Sequence, residues 1–188
     1  MKHNNCIFTI CAKNYIGLAE VLRESIRTYY CNFDFYIFIA DELPSELYEL
    51  ADVFETKKLE LISKEKWTEC SFKYTVTEFC TLLKPFVFKY LFTNFDYDKI
   101  CYFDPAIAFY SSCEILFENL EKSLIELTPH FLTQPETDIS KHFEDEVRFS
   151  GIFNLGFLGL RKSSKTLNML NWWGNNLIDK GFSDFPTY

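Results

Sequence analysis

With 188 residues, 48% hydrophobic and 24% charged, the chain is long enough to bury one sizeable core and has the composition of a soluble globular domain. A formal net charge of −8 excludes extended nucleic-acid binding, because no basic stripe is present to displace counterions from a phosphate backbone. An anionic ligand must then be held locally, by a few cations, by backbone amides or by a metal.

In chain order, residues 6–11 are a continuous apolar run that predicts a buried strand. A polar turn, Ala12 to Tyr15, leads into an amphipathic helix over 16–29, with Ile16, Leu18, Ala19, Leu22 and Ile26 at helical spacing. Residues 35–40 repeat the buried-strand pattern and end in Asp41 and Glu42. Pro44 opens a second helix, and 58–62 is a third, weaker strand. This βαβαβ rhythm predicts an α/β fold: a mostly parallel sheet with helices on both faces, in one domain over 1–188.

Residues 72–92 read as one long helix with an apolar stripe through Val76, Phe79, Cys80, Leu83, Phe86, Val87, Tyr90 and Leu91. Thr81 faces away from that stripe, and Lys84 stands at its border. Pro85 removes a backbone donor and predicts a kink. A strand over 99–103, a short helix over 113–120 and a strand over 124–127 follow. The segment 133–149 is polar, acidic and without period; a loop of that length is usually functional or mobile. A strand with two glycines over 152–160 and a helix begun by Ser163 complete the pattern.

The seven cysteines include no C-x-x-C pair and read as reduced thiols of a cytoplasmic protein rather than a disulfide or zinc framework. The polar start is not a signal peptide, and no apolar run approaches membrane-spanning length.

Residues 100–110 carry the most chemistry: an apolar strand runs into Asp104, then Pro105, then a second apolar run. A carboxylate at the C-terminal end of a buried strand stands where open α/β sheets bind ligands, and where a divalent cation can be held against a diphosphate. The plainer reading makes Asp104 a turn former before proline. Lys84 is either a ligand cation or a side chain snorkelling from the stripe edge. Asn154, between apolar residues, needs a hydrogen-bond partner, which a ligand or a loop supplies. Tyr15 either stacks on a base or caps the first helix, and His130 is either a contact residue or a strand exit. Trp172 and Trp173 read as helix packing, and Glu144 to Glu146 as a solvated face or the holder of a general base.

The order of these segments resembles that of bacterial nucleotide-sugar glycosyltransferases with the GT-A fold. The resemblance rests on the Ala-x-Asn-Tyr turn after the first strand, Glu78 to Phe86, Tyr102 to Pro105, Leu127 to His130 and Ser150 to Phe157, and it covers nearly all of the chain. It implies sugar transfer from a nucleotide-sugar donor to a glycan or small acceptor, with a divalent cation (Mn or Mg) held at an Asp-x-Asp motif. It implies that Asp104 meets ribose and metal, and that Lys84 lies near the diphosphate or the donor sugar. It implies further that Thr9, Ala12, Asn14 and Tyr15 line the base and ribose pocket, that Asp41 accepts from the base, that Asn154, Gly151 and Gly156 approach the sugar, and that His130 touches donor or acceptor.

Two departures qualify these expectations. Ala106 stands where the motif has its second carboxylate, which predicts weak metal binding at Asp104, metal-independent chemistry or lost activity. The segment with which such enzymes continue past the last helix has no counterpart before Tyr188, so an incomplete C-terminus is expected. The alternative to an active transferase is a non-catalytic relative that binds a nucleotide sugar or a protein partner; a module without nucleotide binding is a third reading.

Overall fold

The computed structural model describes residues 4–30, 32–43, 52–132 and 151–181. Its strands are β1 (Asn5–Cys11), β2 (Asp34–Ile39), β3 (Val53–Glu55), β4 (Lys99–Phe103), β5 (Ile125–Pro129) and β6 (Phe153–Arg161). They form one sheet in the order β3-β2-β1-β4-β6-β5. β3, β2, β1 and β4 run parallel, while β6 pairs antiparallel with both β4 and β5. The helices are α1 (Ile16–Tyr29), α2 (Lys64–Lys73), α3 (Val76–Asn94), α4 (Glu114–Lys122) and α5 (Ser164–Asp179).

Alternation along β1 builds a core on each face of the sheet. Cys6, Phe8 and Ile10 point toward α3 and α5, where Leu83, Phe88, Leu91 and Leu170 are buried. Ile7 and Cys11 point the other way, toward Ala19, Leu22 and Ile26 of α1 and Phe117 and Leu120 of α4. Helices therefore cover both faces, as the βαβ rhythm predicts. The first core is aromatic: the ring of Phe8 meets those of Phe88 at 4.8 Å, Tyr102 at 5.4 Å and Phe38 at 5.8 Å. Each such ring withdrawn from water contributes about 1.5–3 kcal/mol. The buried Tyr97 hydroxyl keeps its polarity satisfied, lying 2.6 Å from Asp34 Oδ2 and 2.7 Å from the Tyr36 hydroxyl.

Two expectations are corrected. The third strand is not at 58–62 but at Val53–Glu55, beside β2. Residues Thr56–Leu59 form a 3-10 turn that Glu60 ends with a left-handed φ of 49°. Leu59, Leu61 and Ile62 still pack toward the core, which is what the apolar pattern there records. The long helix expected over 72–92 stands as α3, but it starts at Val76: residues 72 and 73 end a separate helix, α2, that the pattern does not predict, and Tyr74 and Thr75 between the two are extended. Thr75 Oγ1 accepts from Glu78 N and Glu78 Oε2 accepts from Thr75 N at 2.8 Å, a capping box that starts a new helix. α3 runs through Pro85 and buries a wider arc than the predicted stripe, because Leu82, Phe88 and Phe92 are buried too. Val76, assigned to the stripe, is 60% exposed.

The expected helix at Pro44, the loop at 133–149 with its acidic run and the tail from 182 onward lie outside the described residues. None of the described helices is long and apolar enough to cross a membrane.

Candidate functional site

The strand order reverses direction at β1: β2 and β3 lie on one side of it, β4 on the other. In an open α/β sheet, the crevice beyond the carboxyl ends of the strands at such a point is where a ligand fits. A cleft of about 520 Å³ opens there. Its walls come from three segments.

The first wall follows β1. Ala12 leads into a 3-10 turn, Lys13–Tyr15, closed by Tyr15 N donating to Ala12 O at 2.9 Å, and Asn14 and Tyr15 border the cleft. Asp41, just past β2, accepts from Lys13 N at 2.8 Å and so ties the two strand ends together. The second wall is one face of α3, carrying Val76, Thr77, Cys80, Thr81 and Lys84. Because Pro85 has no N–H, the Thr81 carbonyl lacks its usual intrahelical donor on this wall. The third is the end of β4, with Tyr102, Asp104, Pro105 and Ala106. Asp104 Oδ1 accepts from Ala106 N at 3.0 Å, and Ile107 N donates to Asp104 O at 3.1 Å, so the Asp-Pro-Ala segment is a side-chain-stapled turn.

Lys84 is buried, with 4% of its surface exposed. Its Nζ donates to the Leu155 carbonyl at 2.8 Å and lies 4.3 Å above the Tyr102 ring centroid. Burial pushes its pKa from 10.5 down to about 8, against the opposing pull of Asp104 and Cys80. At neutral pH the ammonium is therefore mostly charged and incompletely compensated. Burial also pushes the neighbouring thiols up, Cys80 to about 11 and Cys11 to about 12, so both stay protonated. All six described cysteines are free.

Of the residues singled out from sequence, Ala12, Asn14, Tyr15, Asp41, Lys84 and Asp104 come together around this cleft. Others do not line it. Thr9 is fully buried within β1, and its Oγ1 has no hydrogen-bond partner among the described residues. His130 is exposed at the end of β5, donating its backbone N–H to Ile152 O at 3.0 Å. Asn154 is exposed and finds its partner locally: its Oδ1 accepts from Gly156 N at 2.7 Å. Gly156 supports the cleft through its backbone, accepting from Asp104 N at 2.8 Å. The cleft residues that sequence reasoning passed over as site residues are Ile10, Cys11, Val76, Thr77, Cys80, Thr81, Tyr102 and Pro105. Positions 77, 80, 81 and 84 fall on one helical face, and that spacing was the available signal.

A second hollow of about 520 Å³ lies beside the start of α2, lined by Lys57, Ser63 and Trp67 among others. It holds no strand end and none of the residues singled out above.

Among the described residues the donor set does not fit a resident divalent cation. Among the described residues no three His, Cys, Asp or Glu side chains converge. Asp104 stands alone at the turn, with a methyl group at Ala106 and one carboxylate oxygen already accepting an N–H.

No family model matches the sequence, and no curated relative does. Solved structures do match. The glycosyltransferase GlyE of Streptococcus pneumoniae superimposes with a TM-score of 0.56 at 16% identity, over 93% of this chain and 37% of its own. Core-mannan synthase A of Aspergillus fumigatus, in its Mn/GDP form, gives 0.54 at 9% identity, over 95% of this chain and 67% of its own. Mouse xyloside xylosyltransferase 1 gives 0.52 at 15% identity, over 96% and 76%. The chain thus spans little more than a third of the pneumococcal protein's length. At these identities the likeness is one of fold: the chain has the GT-A-type arrangement found in glycosyltransferases.

Proposed function

We propose that this chain is a single nucleotide-sugar-binding domain that transfers a sugar from its donor to a glycan or small acceptor. The observation that carries this reading is the cleft at the β1–β4 crevice, where an anion-seeking ammonium, Lys84, and hydroxyl-accepting carboxylates, Asp41 and Asp104, face one space. The fold shared with glycosyltransferases supports it.

The division of labour follows from the chemistry of the groups. Ribose and base present hydroxyl and N–H donors, which carboxylates accept. Tyr15, 45% exposed beside Asn14, offers a ring face to the base. Transfer requires the nucleoside diphosphate to leave with its developing charge neutralised, and in this reading Lys84, which lines the cleft, supplies the positive charge. The free cysteines support a reducing, cytoplasmic setting.

A thermal-shift screen of UDP- and GDP-sugars, followed by mass-spectrometric detection of hydrolysis or transfer, tests the proposal. A donor that raises the melting temperature and is turned over is the expected result. No shift with any nucleotide sugar would sink it. The turn at Ala106 favours a second reading, binding without turnover, which a shift unaccompanied by product would select.

A further inference from the structure

We propose that the cleft takes the diphosphate of its ligand without a divalent cation, through direct contact with the Lys84 ammonium. This rests on the nucleotide-sugar reading above and adds how that ligand's charge is met.

Three observations converge on it. First, among the described residues the cleft is poor in cation ligands. Its two carboxylates each give one oxygen to a backbone N–H, Asp41 to Lys13 and Asp104 to Ala106. Its thiols, Cys11 and Cys80, are held protonated by burial and are weak ligands in that form. Hard divalent ions favour several charged oxygens, and the turn supplies one carboxylate.

Second, an ammonium already occupies the electrostatic role. Lys84 lines the same cleft as Asp104 and would repel a metal placed between them. Its position is built rather than adventitious: the Leu155 carbonyl holds Nζ at 2.8 Å and the Tyr102 ring lies beneath it at 4.3 Å. An ammonium has three protons. Leu155 takes one, leaving donors for phosphate oxygens.

Third, the wall around Lys84 carries neutral donors. Thr77 and Thr81, each with a hydroxyl, border the cleft on the helical face that Lys84 shares. Together they can bind phosphate oxygens without adding charge. Asp41 and Asp104 make Lys84 indispensable for this, because an anion entering the cleft without it would face two carboxylates and, among the described residues, no cation lining it.

Calorimetric titration with UDP, GDP, uridine and guanosine, in EDTA and in manganese, tests the inference on wild type, Lys84→Met and Lys84→Arg. Expected is diphosphate binding of equal affinity in EDTA and manganese. Lys84→Met should weaken it by roughly 10- to 100-fold, the range for a hydrogen bond to a charged group, while nucleoside binding is unchanged. Lys84→Arg should recover part of the loss, and circular dichroism of each variant separates misfolding from lost contact. Diphosphate binding that appears only with manganese would overturn this inference and leave the nucleotide-sugar reading standing. Equal loss of nucleoside and diphosphate affinity in folded Lys84→Met would also overturn it. No binding of any nucleotide in either buffer overturns both.

Discussion

Lys84 Nζ and the Leu155 carbonyl meet at 2.8 Å, and the next carbonyl along the chain, that of Gly156, accepts from Asp104 N at the same distance. Two successive peptide units of β6 thus hold the Lys84 ammonium and the backbone of Asp104. Neither contact uses a β6 side chain.

The depressed pKa of Lys84 makes it a cost to the fold. A lysine whose folded pKa is below its unfolded value destabilises most where both states are protonated, and the penalty fades as pH rises from about 8 toward 10.5. Lys84→Met is expected to raise stability at pH 7 by roughly 1–3 kcal/mol, given about 1.4 kcal/mol per pKa unit and the loss of one partner for Leu155 O. That advantage should shrink steadily when unfolding is measured at pH 8, 9 and 10. An advantage that stays constant across this range would show that Lys84 is not depressed.

Ala106 separates this turn from a carboxylate pair. It is exposed on the cleft, so Ala106→Asp should fold normally. The variant is expected to bind nucleoside diphosphate at least about tenfold more tightly in manganese than in EDTA, because a second charged oxygen ligand faces the same space. A variant indifferent to manganese would show that positions 104 and 106 do not aim at a common point.

Gly174 is where α5 meets α3. A Cβ there would lie 2.8 Å from Phe86 Cζ and 3.1 Å from its Cε1. Helix propensity favours alanine over glycine by about 1 kcal/mol, and overpacking costs roughly 1–3 kcal/mol. The ring is stiff and partly buried, so the second effect should win. Gly174→Ala is expected to lower the melting temperature; a higher one would mean that the helices separate freely at this contact.

Cys80 is half-buried on the cleft wall and is pushed up to about 11. At pH 8 its thiolate fraction is on the order of one in a thousand, so iodoacetamide should label it far more slowly than an unperturbed cysteine. Peptide mapping by mass spectrometry reads this directly. Labelling at the rate of an unperturbed thiol would contradict the burial described here.

Much of the fold was legible because its signals are local and strong. Residues 6–11 announce a buried strand and 16–29 an amphipathic helix, and both stand where predicted. The third strand escaped because Val53–Glu55 is too short to display a period. The start of α3 reads four residues early because apolar residues continue across the break from α2, although the Thr75-x-x-Glu78 capping signature marks it. The cleft was legible from strand ends, since Ala12, Asp41 and Asp104 each follow a parallel strand. Thr9 was not, because alternation turns it into the face shared with Ile7 and Cys11. Least legible was the support from Leu155 and Gly156, which act through carbonyl groups that every residue has.

That support also sets an order of assembly. The residues that line the cleft span positions 10 to 106, so a nascent chain carries all of them well before β6 has been made. Only when β6 adds itself antiparallel beside β4 do Lys84 and Asp104 acquire their carbonyl partners, 71 residues away in the case of Lys84. Until that long-range closure, the ammonium has no Leu155 carbonyl to bind and no reason to leave water. The charged floor of the cleft is in this sense finished last, by two main-chain carbonyls of β6.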